Sequence, residues 1–265
     1  MPPVRPAPQR AQGTVGDQTV SYLERPGGDP PVVLLHGWGA SASTYSALLT
    51  ASGSGRRLLA PDLPGFGESP IGGGGWTTSK YAELLDGWLG QVAGPRYSLL
   101  GHSYGGAVAM RLATGASPPD RLLLCAPSGI RPEAERRPGP RVRLFKALRA
   151  VGRGLPGRAA SSWEAWLTSR FGSADYRAAS PELRGTLVAA VNEDLTPLAR
   201  RLAVPTLIVW GAVDPELPLE PNAKRLQELV PGAELVVFEG SGHFPFLDQV
   251  ARFAAVFDAL MDAKV

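Results

Sequence analysis

Gly101-His102-Ser103-Tyr104-Gly105, followed by Gly106, places a serine two positions from a glycine on either side. The segment joins the apolar run Tyr97–Leu100 to a stretch with helical spacing that begins near Tyr104. A strand, a tight turn and a helix in that order form a nucleophile elbow. The turn forces its serine into a strained backbone conformation, and the flanking glycines leave room where side chains would clash. The hydroxyl then stands at a helix N-terminus, where free N–H groups favour developing negative charge. Ser103 is therefore expected to act as a nucleophile.

A serine hydroxyl is a weak nucleophile until a base takes its proton. The chain has three histidines, His36, His102 and His243. Adjacent elbow residues point in different directions, which gives His102 a packing role. His36 lies in His36-Gly37-Trp38-Gly39 and is expected to brace that loop. His243 lies in Gly240-Ser241-Gly242-His243-Phe244-Pro245-Phe246, directly after an apolar run, and is the expected base. A carboxylate must hold its imidazole in the right tautomer. Asp214 follows the run Thr206–Trp210 and fits that place; Glu216, the nearest substitute, lies two positions further into the loop. An oxyanion needs two donors. The backbone N–H groups of Tyr104 and Trp38 are expected to supply them.

These residues need elements that bring them together. Short apolar runs recur at Val32–Leu35, Arg57–Ala60, Tyr97–Leu100, Arg121–Cys125, Thr206–Trp210 and Glu234–Phe238. Near-continuous runs suit strands covered on both faces, as in a parallel sheet. Ser79–Val92, Tyr104–Ala113, Glu220–Leu229 and Gln249–Met261 carry helical spacing between them. Alternation of the two predicts an α/β fold with a mostly parallel sheet, and loops at the carboxyl ends of such strands share one edge. Thr19–Glu24 alternates weakly and reads as an antiparallel edge strand. The rhythm breaks over 129–202, where Ser162–Phe171 and Pro181–Leu195 read as helices, with Ser180-Pro181-Glu182 as a helix start. The expected organisation is a tail over 1–13, a core over 14–128 and 203–265, and a helical insertion over 129–202.

Composition excludes several classes. The net charge is +3, yet 131–201 holds 14 Lys/Arg against 7 Asp/Glu. That basic excess is dispersed arginine without aromatic interleaving, so it reads as a solvated face and no nucleic-acid partner is expected. Asn192, Glu193 and Asp194 read as a solvated helix end. The one cysteine, Cys125, sits in an apolar run and reads as a buried, inert thiol in a reducing compartment. No run reaches the ~18 apolar residues of a membrane span. The N-terminus has no signal-peptide h-region, and a cytoplasmic location is expected. No His cluster, cysteine pair or dinucleotide fingerprint is present, so neither a metal nor an organic cofactor is expected.

The elbow, the order Ser103, Asp214, His243, and Asp62-Leu63-Pro64-Gly65-Phe66-Gly67-Glu68-Ser69 together resemble the α/β-hydrolase fold superfamily. The likeness runs over nearly the whole chain from about Thr14. It implies an eight-stranded sheet with a helical cap over the active site, to which 129–202 corresponds in position. It also implies a serine hydrolase acting on a small, largely apolar ester with water as the second substrate. Carbon–carbon hydrolysis of meta-cleavage products shares the same triad. So do aminopeptidases acting on N-terminal proline and perhydrolases; a ligand-binding protein on the same scaffold, without turnover, is a further alternative that the intact triad weighs against. Phe145, Trp163, Trp166 and Phe244, with the side chains of Trp38 and Tyr104, are the expected pocket residues.

Overall fold

Residues 6–130, 140–152, 154, 156–171 and 173–263 are described in a computed structural model. The apolar runs become strands with no polar face because both sides of the sheet are covered. The strands are β1 (Gln9–Val15), β2 (Gln18–Arg25), β3 (Gly28–Leu35), β4 (Arg56–Pro61), β5 (Ser98–His102), β6 (Leu122–Cys125), β7 (Thr206–Gly211) and β8 (Glu234–Phe238). They form one eight-stranded sheet in the order β1-β2-β4-β3-β5-β6-β7-β8. β2 runs antiparallel to β1 and β4, and every pair from β4 to β8 is parallel.

Successive side chains of a strand alternate between faces, and the two halves of the core follow that alternation. Val33, Leu35, Leu99, Leu122, Leu124, Ile208 and Trp210 pack on one side. Their neighbours Val32, Leu34, Leu100, Leu123, Cys125, Leu207 and Val209 pack on the other. The first face is covered by α2 (Thr78–Val92), α3 (Tyr104–Ala113) and α9 (Leu219–Leu229), the second by α1 (Ser46–Ala51), α10 (Pro245–Asp248) and α11 (Val250–Met261). Each such Leu, Val or Ile, fully withdrawn from water, contributes about 1.5–3 kcal/mol. Cys125 is wholly buried, which pushes its thiol well above the usual range and keeps it unreactive.

Two expectations at the N-terminal side are corrected. The tail does not extend to residue 13, because Gln9–Val15 forms β1 along β2. That makes β1 the edge strand, and Thr19–Glu24 lies inside the sheet within β2. β1 carries only small apolar residues to betray it; Ala11, Gly13 and Val15 alternate inward, half-buried, and Ala11 and Val15 pack against the core. It is held by backbone pairing and by Arg10, whose guanidinium reaches the buried carboxylate of Asp62 at 2.6 Å and the hydroxyl of Ser21 at 2.9 Å.

Between β6 and β7 the described residues are helical, with α4 (Pro140–Gly152), α5 (Gly157–Phe171), α6 (Ala174–Ala178), α7 (Pro181–Asn192) and α8 (Thr196–Ala199). α7 begins at Ser180, whose side chain accepts from Leu183 N–H, with Pro181 in the first turn. The insertion is tied to the core where α7 meets the loop before α2. Trp76 N–H donates to the Thr186 hydroxyl at 2.9 Å, and Leu183 packs against Gly65. Glu193, expected at a solvated helix end, is instead drawn inward. Its carboxylate pairs with the Arg111 guanidinium and accepts the Thr78 hydroxyl at 2.6 Å, fastening the end of α7 to α2 and α3. No helix among the described residues is long and apolar enough to cross a membrane.

Candidate active site

Parallel strands place their carboxyl ends on one edge, and four loops meet there. They follow β3 (His36–Gly39), β5 (Ser103), β7 (Asp214) and β8 (His243). Ser103 has φ 50° and ψ −116°, a left-handed conformation that a residue with a side chain rarely adopts. Its carbonyl accepts N–H groups from Gly106, Ala107 and Ser128, and its own N–H donates to Cys125, so neighbouring backbone over-determines the turn. The glycines are required by contact. A Cβ on Gly101 would lie 2.6 Å from the Gly105 carbonyl and 2.7 Å from Ala109 Cβ. Gly101→Ala is accordingly expected to cost about 3 kcal/mol, read as a lowered urea midpoint; an unchanged midpoint would show that α3 can move aside.

His243 Nδ1 lies 2.7 Å from Asp214 Oδ2, both side chains being buried. The other carboxylate oxygen of Asp214 accepts Glu216 N–H at 2.8 Å and Leu217 N–H at 2.9 Å. Three donors thus converge on Asp214 and fix the orientation of its side chain. The carboxylate in turn requires the proton on Nδ1, leaving Nε2 as the lone-pair nitrogen. Near Nε2, at 3.6 Å, stands the carboxylate of Glu216.

His102 and His36 support this arrangement without entering it. His102 Nε2 lies 2.9 Å from the His243 carbonyl, and since a carbonyl only accepts, that nitrogen carries the proton. Its ring packs beside His243, Phe244 and Phe246 at 4.7, 4.9 and 5.0 Å. His102 therefore fixes the loop that carries His243. His36 accepts Leu63 N–H at Nε2 (2.9 Å) and donates from Nδ1 to the Gly37 carbonyl (2.8 Å), linking the loops after β3 and β4.

Burial holds His36 at about 4; burial, followed by the neighbouring His243, holds His102 at about 3. Both stay neutral in the folded state while the unfolded chain takes up protons below about 6.5. The native state then binds fewer protons, so stability is full above that pH and falls as pH drops toward the folded values. At about pH 5.5 each histidine is expected to cost ~1.4 kcal/mol, or ~3 kcal/mol together. Urea midpoints at neutral and mildly acid pH test this; equal midpoints would contradict it.

The loop after β3 lies against the elbow, since a Cβ on Gly37 would stand 3.2 Å from Ser103 Cβ. Trp38 follows, its ring edge-on to Tyr104 (5.6 Å) and Phe66 (5.0 Å). As the first residue of α3, Tyr104 has an N–H with no intrahelical acceptor. Its ring also meets Tyr81 edge-on at 5.6 Å. Phe66 and Tyr81 join this aromatic wall although sequence reasoning passed over them. Phe66 was legible only as part of a glycine-rich loop, and Tyr81 only as a core position of a helix.

The remaining pocket candidates divide. Phe244 lies 5.2 Å from the His243 ring, within the site. Trp163 donates its indole N–H to the Leu148 carbonyl at 3.0 Å and stacks on Trp166 at 5.2 Å, which places the pair in the packing of α5 with α4. Trp166 is half exposed. Phe145 lies on α4, and its side chain is outside the described residues.

The chain belongs to the Alpha/beta hydrolase family, whose profile matches residues 32–256. It is 30% identical to a pimeloyl-[acyl-carrier protein] methyl ester esterase of Aeromonas hydrophila, covering 89% of this chain and 97% of that one. Its fold is similar to that of a thermophilic esterase from Thermogutta terrifontis, with TM-score 0.67, 25% identity, and 94% and 96% of the two chains covered. It is also similar to a meta-cleavage product hydrolase from Pseudomonas fluorescens, with TM-score 0.68, 22% identity, and 93% and 95% covered.

Proposed function

We propose that the protein is a serine hydrolase that cleaves a small carboxylic ester through Ser103, His243 and Asp214. The observation that carries this reading is the buried Asp214–His243 pair, 2.7 Å apart, on the same sheet edge as the strained Ser103. Asp214 keeps the proton on Nδ1, so Nε2 accepts the Ser103 proton as Oγ attacks the ester carbonyl. The N–H groups of Trp38 and Tyr104 receive the oxyanion, and no side-chain rearrangement is needed to present them. The His243 imidazolium then protonates the departing alkoxide from Nε2. Water enters, His243 takes its proton, and the acyl-enzyme is released as the acid.

The aromatic wall of Trp38, Phe66, Tyr81 and Tyr104, with Phe244 beside His243, supports an apolar acyl group. The described helices between β6 and β7 act as a cap, tied down by the Glu193–Arg111 pair and by the Trp76–Thr186 hydrogen bond. Kinship with an esterase acting on a methyl ester supports the bond class. Hydrolysis of p-nitrophenyl esters of increasing chain length, run beside a dienoate carbon–carbon substrate, tests the reading. Ester turnover with fluorophosphonate labelling of Ser103 is expected. Dienoate cleavage without ester turnover would overturn it in favour of carbon–carbon hydrolysis.

A further inference from the structure

Glu216 takes no part in the acyl-transfer steps, yet its carboxylate stands 3.6 Å from His243 Nε2, the nitrogen that must exchange protons with the reacting oxygens. The backbone that carries it is fixed. Its N–H is bound at 2.8 Å to the same Asp214 carboxylate that orients His243, and Pro215 stiffens the backbone before it. The side chain is 62% exposed, so the carboxylate is solvated at the mouth of the site.

The departing oxygen of an ester must come within hydrogen-bond reach of Nε2 to collect its proton. Whatever that oxygen is bonded to is then brought close to the Glu216 carboxylate. Asp214 lies on the opposite side of the imidazole, at Nδ1, with its oxygens already occupied by three donors. Trp38, Tyr104 and Phe244 carry no charge, and among the described residues Glu216 is the one whose charged side chain is placed beside Nε2.

We infer that Glu216 determines specificity for the alcohol portion of the substrate, favouring esters whose leaving alcohol is cationic and disfavouring those whose leaving alcohol is anionic. This rests on the ester-hydrolase reading above and adds a substrate class to it. Because the carboxylate is exposed, its effect is moderate and screened by salt. Within the family frame it also weighs against substrates that carry a carboxylate on the departing side.

The test uses three butyrate esters of matched phenols bearing a trimethylammonium, a methyl or a carboxylate group at the meta position. The kcat/KM ratio of cationic to anionic ester is measured for wild type, Glu216→Gln and Glu216→Lys, which cancels the intrinsic reactivity of each leaving group. The ratio is expected to fall about tenfold in Glu216→Gln and further in Glu216→Lys. The wild-type ratio is expected to shrink toward the Glu216→Gln value at high ionic strength. Turnover of all three esters with the same ratio in the three proteins would overturn the assignment while leaving the hydrolase reading intact. Absence of turnover of any ester by wild type would instead overturn the hydrolase reading, and this assignment with it.

Discussion

Ser103→Ala is expected to lower kcat for ester hydrolysis by roughly 10⁵- to 10⁶-fold and to abolish fluorophosphonate labelling. Removing Oγ deletes the atom that forms the acyl bond, while the Trp38 and Tyr104 N–H groups and the aromatic wall remain. Residual activity is therefore expected to stay above the uncatalysed rate, and substrate binding to change little. The variant should fold, because the elbow is held by backbone hydrogen bonds from Gly106, Ala107 and Ser128 that do not involve the side chain. Ser103→Gly separates chemistry from strain. It should be equally inactive, yet more stable than Ser103→Ala by about 1 kcal/mol, because glycine adopts φ 50° without a Cβ penalty. Wild-type turnover in Ser103→Ala would place the nucleophile elsewhere.

Asp214→Asn is expected to lower kcat by about 10⁴-fold with little loss of stability. The reason lies in the donors around the carboxylate. Glu216 and Leu217 N–H groups both point at Oδ1, so the amide oxygen of an asparagine takes that side. Its NH₂ group then faces His243 Nδ1 and can only donate. The imidazole proton is forced onto Nε2, where it cannot accept the Ser103 proton and where the Glu216 carboxylate, 3.6 Å away, holds it. The wrong tautomer is thereby favoured twice. Asp214→Ala should behave differently, losing stability as well because two loop N–H groups lose their acceptor. A pH–rate profile and a thermal melt on both variants distinguish these outcomes. Near wild-type kcat in Asp214→Asn would contradict the orienting role, and loss of that activity on adding Glu216→Gln would transfer the role to Glu216.

The fold was legible because strand and helix periodicities are local properties of the chain. Thr206–Trp210 and Glu234–Phe238 announce themselves as strands through composition alone, and each is a strand here. β1 was not, since Gln9–Val15 owes its conformation to a partner strand and to Arg10 reaching Asp62 across 52 positions. The insertion was legible as helical, but its contacts were not. Glu193 reads as a polar helix end until Arg111 and Thr78 are brought beside it. Trp163 reads from the sequence as an aromatic of the insertion, but not as the residue whose indole bonds the Leu148 carbonyl and ties α5 to α4.

Sequence by itself determined which residues can do chemistry. A serine between glycines, a scarcity of histidines and an acid in the right chain order are one-dimensional facts that follow from backbone sterics and proton affinity. Only the tertiary structure decided how those residues stand to one another. It fixed the tautomer of His243 through the donors converging on Asp214, gave His102 a supporting place behind the His243 loop, and set the Glu216 carboxylate beside Nε2. Hydrogen bonds and charge interactions fall off over a few ångströms, and residues far apart in the chain come that close only when parallel strands end on one edge.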